Sequence, residues 1–322
     1  MENTDKRLQV IFGDATLGIR GADFHYIFSY QRGGLESLVI NGLEWLYRVP
    51  MPTFWRALTD NDRGSQFHIK SGIWLSADMF MKCIGREVIF DGKSIGLPRA
   101  PFNNQLSAEE KAGRVELVFI YETITVPSTN VVISYDVHQE GKIVVSAHYH
   151  GKVGLPELPV FGMRFILPTK AAGYRYNGLS GETYPDRMAG GKEGIYEIEG
   201  LPVTPYLVPQ DCGMHMQTKW LEVNRNTCLD NRKKAHSDNH IHTLRFEAED
   251  DTFAFSCLPY TAQELENAIH QEELPPARRT VVCILGAVRG VGGIDSWGAD
   301  VEEKYHISGE KDIYFSFCIT KP

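Results

Sequence analysis

The 322-residue sequence has no long apolar run, no surplus of basic residues and no signal-peptide pattern at its start. A membrane-spanning helix needs about 20 consecutive apolar residues, and no segment approaches that length. Acidic residues outnumber basic residues by 41 to 33, whereas nucleic acid is bound by surfaces rich in Lys and Arg. The first ten residues, MENTDKRLQV, lack an apolar core. We therefore expect a cytoplasmic protein that binds neither nucleic acid nor membranes.

The sequence also lacks paired cysteines, because no C-x-x-C motif occurs and the six cysteines are scattered. A chain of this length can bury a hydrophobic core without disulfides. Cys257 and Cys318 lie in strand-like runs, where a small, soft side chain commonly fills the core. We interpret all six as free thiols: Cys83, Cys212, Cys228, Cys257, Cys283 and Cys318.

Helical periodicity is scarce, and short runs of β-branched and aromatic residues take its place. The clearest runs span 116–126, 130–137, 142–149, 252–258, 281–285 and 312–319, with a hairpin turn predicted at 139–141. Strands that follow one another without helices exclude a doubly wound nucleotide-binding fold and predict an antiparallel sandwich or barrel. Only 69–81 and 261–271 predict short helices. No linker or repeat divides the chain, so we expect one continuous domain.

Two sequence motifs are incomplete, one for phosphate binding in nucleotide-binding proteins and one for a nucleophilic serine. The run 289–295 has several glycines without the G-x-G-x-x-G spacing or a following helix. We interpret it as a turn whose backbone passes close to a ligand or a neighbouring chain. The segment 178–181 lacks the G-x-S-x-G spacing of a nucleophile elbow. A pair of catalytic carboxylates stays open at this point, because the distance between two acids is invisible in a sequence.

Two groups of histidines contain residue types that bind metals. His236, His240 and His242 lie within seven residues, and His148 and His150 form a second pair. Neither group has the spacing of a known metal site, and charged neighbours of the first group are typical of a solvated loop. We interpret both groups as solvated histidines and expect no metal site in this chain.

Four segments combine aromatic with polar side chains. Sugars are held by such combinations, because an aromatic ring covers the apolar face of a pyranose while Asp, Asn and Arg pair with its hydroxyls. Asp-Asn-Asp is also ordinary turn chemistry, and a tryptophan beside a strand is commonly part of the core. The pattern alone therefore leaves a carbohydrate site and a structural role open. The segments are 54–56, 59–64, 184–187 and 295–298.

In this order, the four segments resemble the C-terminal portion of the family 2 β-galactosidases, and especially the separately encoded small chain of the two-chain bacterial enzymes. The resemblance runs from about residue 12 to the end of the chain. It rests on FWRA at 54–57, DND at 60–62, Gly64, ETYPDR at 182–187, TPY at 204–206, Pro209 and GGIDSW at 292–297.

The resemblance implies an all-β antiparallel supersandwich of the galactose mutarotase type, with one or two short helices. Residues 1–10 would be a flexible N-terminal extension, and residues 11–322 the single domain. It also implies an incomplete active site, because the acid/base glutamate of the family follows an asparagine and no Asn-Glu pair occurs here. The chain is therefore expected to hold no catalytic residue and no cofactor.

A large partner subunit would carry both catalytic glutamates, and Mg²⁺ and a monovalent cation would belong to that subunit. The assembled complex would hydrolyse terminal β-D-galactosides such as lactose with retention of configuration. Before assembly, the isolated small chain would expose the apolar surface that meets its partner. We therefore also expect the isolated chain to self-associate.

By the same resemblance, Trp297 extends into the galactosidase pocket as a platform for the glucose or acceptor part of the substrate. The segment that begins at Gly64 resembles a mobile loop beside that pocket, although residues 65–68 depart from the family pattern. The predicted substrate-binding residues are Asp295, Ser296 and Trp297, and the predicted loop residues are Asp60, Asn61, Asp62 and Gly64.

Two other functions remain as alternatives. A stand-alone aldose epimerase would need a histidine base and a glutamate acid that face each other within this chain. The Asn-His motif of such enzymes occurs here only as Asn239-His240, in a polar context. A non-catalytic carbohydrate-binding module would keep sugar affinity alone. Co-purification with a larger chain distinguishes these alternatives from a galactosidase small chain.

Overall fold

Antiparallel strands make up most of this computed structural model, which describes residues 7–100, 110–229 and 236–322, with side chains described from residue 240 onward in the last range. The strands are β1 (Leu8–Phe12), β2 (Thr16–Arg20), β3 (Phe24–Ser29), β4 (Gly34–Ile40), β5 (Leu43–Glu44), β6 (Met51–Thr53), β7 (Lys82–Phe90), β8 (Lys93–Gly96), β9 (Lys111–Ala112), β10 (Arg114–Glu122), β11 (Asn130–His138), β12 (Ile143–Tyr149), β13 (Val160–Leu167), β14 (Gly173–Leu179), β15 (Glu193–Glu199), β16 (Met214–Thr218), β17 (Trp220–Cys228), β18 (His236–Ala248), β19 (Phe253–Leu258), β20 (Thr280–Val288) and β21 (Ile313–Thr320). The helices are α1 (Asp60–Gly64), α2 (Phe67–Ser71) and α3 (Ala262–Asn267), with 3-10 turns at Gly72–Trp74, Ala77–Met79, Gln271–Glu273 and Glu303–Tyr305.

The strands form three sheets. The ten-stranded sheet has the order β15-β14-β17-β18-β21-β12-β11-β10-β7-β8, the six-stranded sheet β5-β4-β3-β2-β1-β9, and the five-stranded sheet β16-β19-β20-β13-β6. Within the described ranges every strand pair is antiparallel. The all-β antiparallel prediction is confirmed.

Alternating side chains explain how the ten-stranded sheet faces the core. In β10, Val115, Leu117, Phe119 and Tyr121 are buried while the residues between them are partly exposed. Because successive side chains of a strand point to opposite faces, this period of two buries one face of the sheet. The turn predicted at 139–141 joins β11 to β12, with the N–H of Gly141 donating to the carbonyl of His138 (2.9 Å).

Aromatic contacts show that the ten-stranded sheet packs face to face against both smaller sheets. Phe28 of the six-stranded sheet contacts Tyr135 of β11, with ring centroids 5.5 Å apart. Phe165 of the five-stranded sheet contacts Phe246 of β18 (5.1 Å). Tyr47, which follows β5, donates its N–H to the carbonyl of Ile166 in β13 (2.8 Å). This hydrogen bond shows that the two smaller sheets lie side by side. This two-layer arrangement is the predicted supersandwich.

Strand β13, an inner strand of the five-stranded sheet, is buried on both faces, since it is almost continuously apolar and inaccessible. Its inner face packs into the core between the layers. A second apolar cluster covers the outer face, where Val160 and Leu285 of the sheet meet Tyr184 and Val291 from two long connections. These connections contain two of the four segments singled out in the sequence.

The structure corrects two details of the sequence analysis. Strand β1 begins at Leu8, whose side chain is fully buried, so residues 8–10 belong to the sheet and not to an N-terminal extension. The predicted helix over 69–81 is broken into α2 and two 3-10 turns, and Ser76 between the turns adopts a left-handed conformation that interrupts a regular helix. The start of the helix predicted over 261–271 is confirmed, since α3 begins with the Thr261–Glu264 capping box, but α3 ends at Asn267.

The cysteines agree with the interpretation from the sequence. All six cysteines are free, and Cys257 and Cys318 are buried within β19 and β21. None of the helices in the described residues has the length and apolar character needed to cross a membrane.

Phe165 provides a test of the packing between the layers. We expect Phe165→Ala to lower the free energy of unfolding by about 3–5 kcal/mol, because it leaves a cavity between the sheets. Phe80→Ala is the matched control, since Phe80 is 60% exposed and its removal should change stability by less than about 0.5 kcal/mol. Urea unfolding measures both values. Equal losses for the two variants would contradict the packing described here.

Candidate functional site

Helix α1 follows β6 and begins with a capping box. The Thr59 hydroxyl accepts a hydrogen bond from the N–H of Asp62 (3.2 Å), and the Asp62 carboxylate accepts one from the N–H of Thr59 (2.9 Å). Such reciprocal bonds satisfy N–H groups that a helix terminus leaves unpaired. They also turn the Asp62 side chain inward, where it is buried, while Asp60 stays outside.

Asp62 lies between two buried arginines. Arg56 donates from Nη1 to Asp62 Oδ2 (2.6 Å) and from Nη2 to Oδ1 (3.2 Å), and Arg289 donates from Nη1 to Oδ1 (3.3 Å). Burial by itself would raise the pKa of Asp62, but the Arg56 guanidinium and the bonds from Thr59 hold it below its ordinary value. The carboxylate is therefore ionised, and it joins α1 to the segment that follows β20.

Arg289 extends this network to α2 and to the segment around residue 300. Its guanidinium lies 4.1 Å from the centroid of the Phe67 ring. It also donates to Glu157 (3.2 Å) and to Asp300, and Asp300 accepts a further hydrogen bond from Lys70 (3.1 Å). The segment after Gly64 is therefore anchored by buried Phe67. Its mobility, which the family resemblance implies, stays a prediction.

The glycine run after β20 is held by a carboxylate of this chain. The N–H of Val291 donates to both oxygens of Asp186 (3.0 and 3.1 Å), and the N–H of Gly292 donates to Oδ2 (2.8 Å). Gly292 has a φ of 70°, which allows the backbone to turn both N–H groups towards one carboxylate. The backbone of this turn does approach another group closely, but the group found is Asp186 of the same chain, 106 residues earlier in sequence than Gly292, and the prediction had named a ligand or a neighbouring chain.

The loop that carries Trp297 touches α1. A side chain on Gly298 would lie 2.6 Å from the carbonyl oxygen of Gly64, and one on Gly293 would lie 2.8 Å from Nδ2 of Asn61. At position 298 only glycine allows the two backbones to approach this closely, and at position 293 it leaves room for the Asn61 side chain. Trp297 is 92% exposed at the tip of the loop. Asp295 fixes the turn by accepting hydrogen bonds from the N–H groups of Trp297 (2.9 Å) and Ala299 (3.1 Å).

A cleft of about 430 Å³ opens beside α1. Its polar groups are joined in pairs: Gln210 donates to Asp60 (3.1 Å), and the Tyr184 hydroxyl donates to Asp211 (2.8 Å). The cleft is lined by Thr59, Asp60, Asn61, Glu182, Tyr184, Arg187, Tyr206, Gln210, Asp211 and Val291. Hydroxyl, amide and carboxylate groups of this kind suit the hydroxyls of a sugar.

Asp211 is a carboxyl group of the cleft whose pKa lies far from its ordinary value. Burial raises its pKa to about 7, although the positive charge of Arg56 acts in the opposite direction. Asp62 and Asp211 are both buried near Arg56, yet only Asp62 receives direct ion pairs from guanidinium groups. This difference in partners explains why one carboxyl is ionised while the other is held partly protonated at neutral pH.

The structure brings most of the predicted site residues together. Asp60 and Asn61 line the cleft, while Asp62 lies beneath it and supports α1. Gly64 is the contact point for the loop of Trp297, in which Asp295 and Ser296 are exposed. The sequence analysis missed Gln210 and Asp211, because no local pattern distinguishes them from an ordinary loop.

The histidines lie away from the cleft. His240 and His242 are on β18 with ring centroids 4.8 Å apart, and the side chain of His236 lies outside the described residues. His148 and His150 lie beside Asp312, which sequence analysis had not associated with them. An epimerase site would require a histidine that faces a glutamate such as Glu182. The described residues that line the cleft include no histidine.

Fold and cleft together define a β-supersandwich protein with a polar cleft beside α1 and an exposed tryptophan on a loop that contacts α1. A family model described as the β-galactosidase small chain matches residues 20–319. The chain therefore belongs to the β-galactosidase small chain family. The family name implies a large-chain partner and places the protein among the subunits of glycosidases.

Individual relatives agree with this family. A β-galactosidase small subunit of Latilactobacillus sakei is 59% identical, with 99% of this chain and 100% of that protein covered. A β-galactosidase of Halalkalibacterium halodurans is 32% identical over 99% of this chain, and one of Streptococcus thermophilus is 31% identical over 97%. This chain spans only 29% and 27% of the lengths of those two proteins.

Solved structures similar to this one include a galactose mutarotase-like protein from Lactobacillus casei, with a TM-score of 0.42 and 9% identity, covering 94% of this chain and 99% of that one. Another is a galactose 1-epimerase from Lactobacillus acidophilus, with a TM-score of 0.38 and 8% identity, covering 95% of this chain and 93% of that one. Similarity at this level carries no argument about activity.

Asp211→Asn provides a test of the buried carboxyl. The pKa of Asp211 is 3.8 ordinarily and about 7 in the folded protein. At a pH between these two values, the folded state retains a proton that the unfolded state releases. The stability of the wild-type protein therefore falls as the pH rises through this range. Asparagine does not titrate. We therefore expect Asp211→Asn to gain stability over the wild type as the pH rises from 4 to 7, by at most about 1.4 kcal/mol per pH unit.

Urea unfolding at several pH values measures this difference. Asp60→Asn is the control, because it makes the same substitution at a cleft side chain that is 69% exposed. A constant difference between Asp211→Asn and the wild type across pH 4–7 would show that Asp211 ionises freely in the folded protein.

Proposed function

We propose that this chain completes the active site of a two-chain β-galactosidase whose large subunit carries both catalytic glutamates. The complex would hydrolyse terminal β-D-galactosides such as lactose, with Mg²⁺ and a monovalent cation held by the large subunit. The observation that carries the proposal is the contact of Gly64 with Gly298, which joins the loop of exposed Trp297 to α1, the helix whose Asp60 and Asn61 line the polar cleft. The free cysteines agree with a cytoplasmic location.

The carboxylates of the cleft support a division of labour between the chains. A retaining glycosidase needs one carboxylate free to attack the sugar and a second to transfer protons, about 5 Å apart. Here the cleft carboxylates have partners within the chain. Glu182 accepts hydrogen bonds from Thr204 and from the N–H of Gly213, both at 2.8 Å, while Asp60 is bonded to Gln210 and Asp211 to Tyr184. These carboxylates position the loops, and the nucleophile belongs to the partner.

Trp297 would provide the platform for the acceptor part of the substrate. An indole ring that is 92% exposed loses contact with water when a sugar stacks on it, and such stacking is favourable. The backbone bonds of Asp295 hold the turn in place without using the tryptophan side chain. The ring is thus free to contact a ligand while its backbone stays fixed.

Exposed apolar residues near the cleft suit contact with the large subunit. Ile294 is 61% exposed beside Trp297, and Leu207 is 87% exposed beside Tyr206 of the cleft. Covering such side chains removes apolar area from water and stabilises an assembly. In the isolated chain the same residues would favour self-association, which light scattering can detect.

We expect the purified chain alone to leave a chromogenic β-galactoside intact, because the proposed catalytic glutamates belong to the other subunit. Adding the purified large subunit should produce turnover. The large subunit assayed alone is the control for activity that does not need this chain. Turnover by the small chain alone, at a constant specific activity through further purification, would overturn the proposal.

Trp297→Ala separates a substrate platform from a structural tryptophan. In the assembled enzyme we expect unchanged folding and a loss of about 1–2 kcal/mol, or about ten- to thirtyfold, in steps that involve the acceptor sugar. Kinetics with lactose and with an aryl galactoside, with and without added glucose, measure the effect.

Trp74→Ala is the matched control, because Trp74 is fully buried and its loss should lower the free energy of unfolding by about 3–5 kcal/mol. Unchanged acceptance of glucose by Trp297→Ala, or a fall in its melting temperature like that of Trp74→Ala, would remove Trp297 from the substrate site.

A further inference from the structure

Two histidines and one aspartate meet on the outer face of the ten-stranded sheet. His148 lies in β12 and His150 directly follows it, so the two side chains share one face of an extended segment. Between them Tyr149 is fully buried and pairs with Ile313 of β21, which places Asp312 opposite His150. The group therefore links two neighbouring strands in the middle of the sheet.

The three side chains are close enough to share one ion. His148 Nε2 lies 2.8 Å from Asp312 Oδ2, and His150 Nδ1 lies 3.7 Å from the same oxygen. One potential ligand atom from each residue lies within 4.8 Å of the other two. The imidazole centroids are 3.9 Å apart. Metal bonds of about 2.0–2.2 Å require ligand atoms about 3–4 Å apart, so small side-chain rotations suffice.

We propose that His148, His150 and Asp312 form a binding site for a divalent transition metal ion of the Zn²⁺ type. Two imidazole nitrogens and one carboxylate oxygen are a donor set that Zn²⁺ accepts, with solvent completing the tetrahedron. Mg²⁺ and Ca²⁺ prefer oxygen ligands and suit this set poorly. All three side chains are partly exposed, so an ion can reach them from solvent.

Neighbouring backbone groups orient the ligands. The N–H of Gly151 donates to Asp312 Oδ1 (2.8 Å), which leaves Oδ2 directed at both imidazoles. The backbone of His150 is fixed by its N–H, which donates to the carbonyl of Asn130 (3.0 Å), and by its carbonyl, which accepts from the Thr129 hydroxyl. Hydrogen bonds that orient metal ligands in this way commonly raise metal affinity.

An ion at this site would join β12 to β21 and stabilise the ten-stranded sheet. None of the three residues lines the cleft beside α1. The proposal is therefore independent of galactoside hydrolysis. Metal binding would replace the hydrogen bond between His148 and Asp312, and any proton carried by these groups would pass to solvent.

Calorimetric titration of the untagged full chain with ZnCl₂ tests the proposal. We expect one ion per chain and a melting temperature that rises with Zn²⁺ but not with Mg²⁺. His148→Ala and Asp312→Asn should each weaken Zn²⁺ binding by at least about tenfold. The control is the double variant His240→Ala/His242→Ala, which removes another histidine pair from the same sheet and should bind Zn²⁺ like the wild type.

Melting temperatures in EDTA identify any variant that fails to fold, and His150→Gln then serves as the second ligand variant. Several outcomes would overturn the proposal: no saturable Zn²⁺ binding by the wild type, unchanged affinity in the folded ligand variants, or an equal loss of affinity in the His240/His242 control. Co²⁺ provides an independent readout, because tetrahedral coordination would produce visible absorption that the folded Asp312→Asn variant loses.

Discussion

The ionised carboxylate of Asp62, buried between Arg56 and Arg289, is the interaction on which the candidate site depends. Removing one partner from such a group leaves an uncompensated charge inside the protein, which commonly costs about 3–5 kcal/mol. Both arginines also donate to the carbonyl of Gly290 (3.2 and 3.4 Å). The network therefore fixes α1 relative to the glycine turn, and the cleft opens between these two elements.

Near this buried network, hydrogen bonds to carboxylates fix the backbone of two turns whose neighbouring side chains are exposed. Asp186 holds the N–H groups of the glycine turn, and Asp295 holds the turn that carries Trp297. Because the backbone is fixed from within, Trp297 can remain 92% exposed without loss of structure. Exposure of an indole to water is unfavourable, and covering it with a sugar or a partner is favourable. This arrangement agrees with a subunit that acts as part of a larger enzyme.

The carboxyl groups of the chain have distinct roles that depend on their neighbours. Asp62 has two guanidinium partners and is ionised, whereas Asp211 has a tyrosine hydroxyl and a pKa raised to about 7 by burial. Asp312 is exposed and faces two histidines. All three residues are aspartates, so the sequence alone does not distinguish them. Their chemistry differs because the local dielectric and the nearest charges differ.

The sequence by itself determined the features that depend on neighbours along the chain. Alternating residues such as Val115 and Leu117 identify a half-buried strand, and Thr261 with Glu264 identifies a helix start, because both patterns arise within a few residues. The same rule applies to Thr59 and Asp62, whose spacing permits a capping box that was not predicted from the sequence. The ordered aromatic and polar segments also identified the family, which the comparisons confirmed.

Only the tertiary structure decided which distant residues meet. Gly64 touches Gly298, Asp186 binds Gly292, and Asp312 meets one histidine of β12 and another that directly follows this strand. Each of these contacts depends on how the sheets stack and on the register of paired strands. Periodicity along the chain records which face of a strand is buried, but it contains no distance between strands.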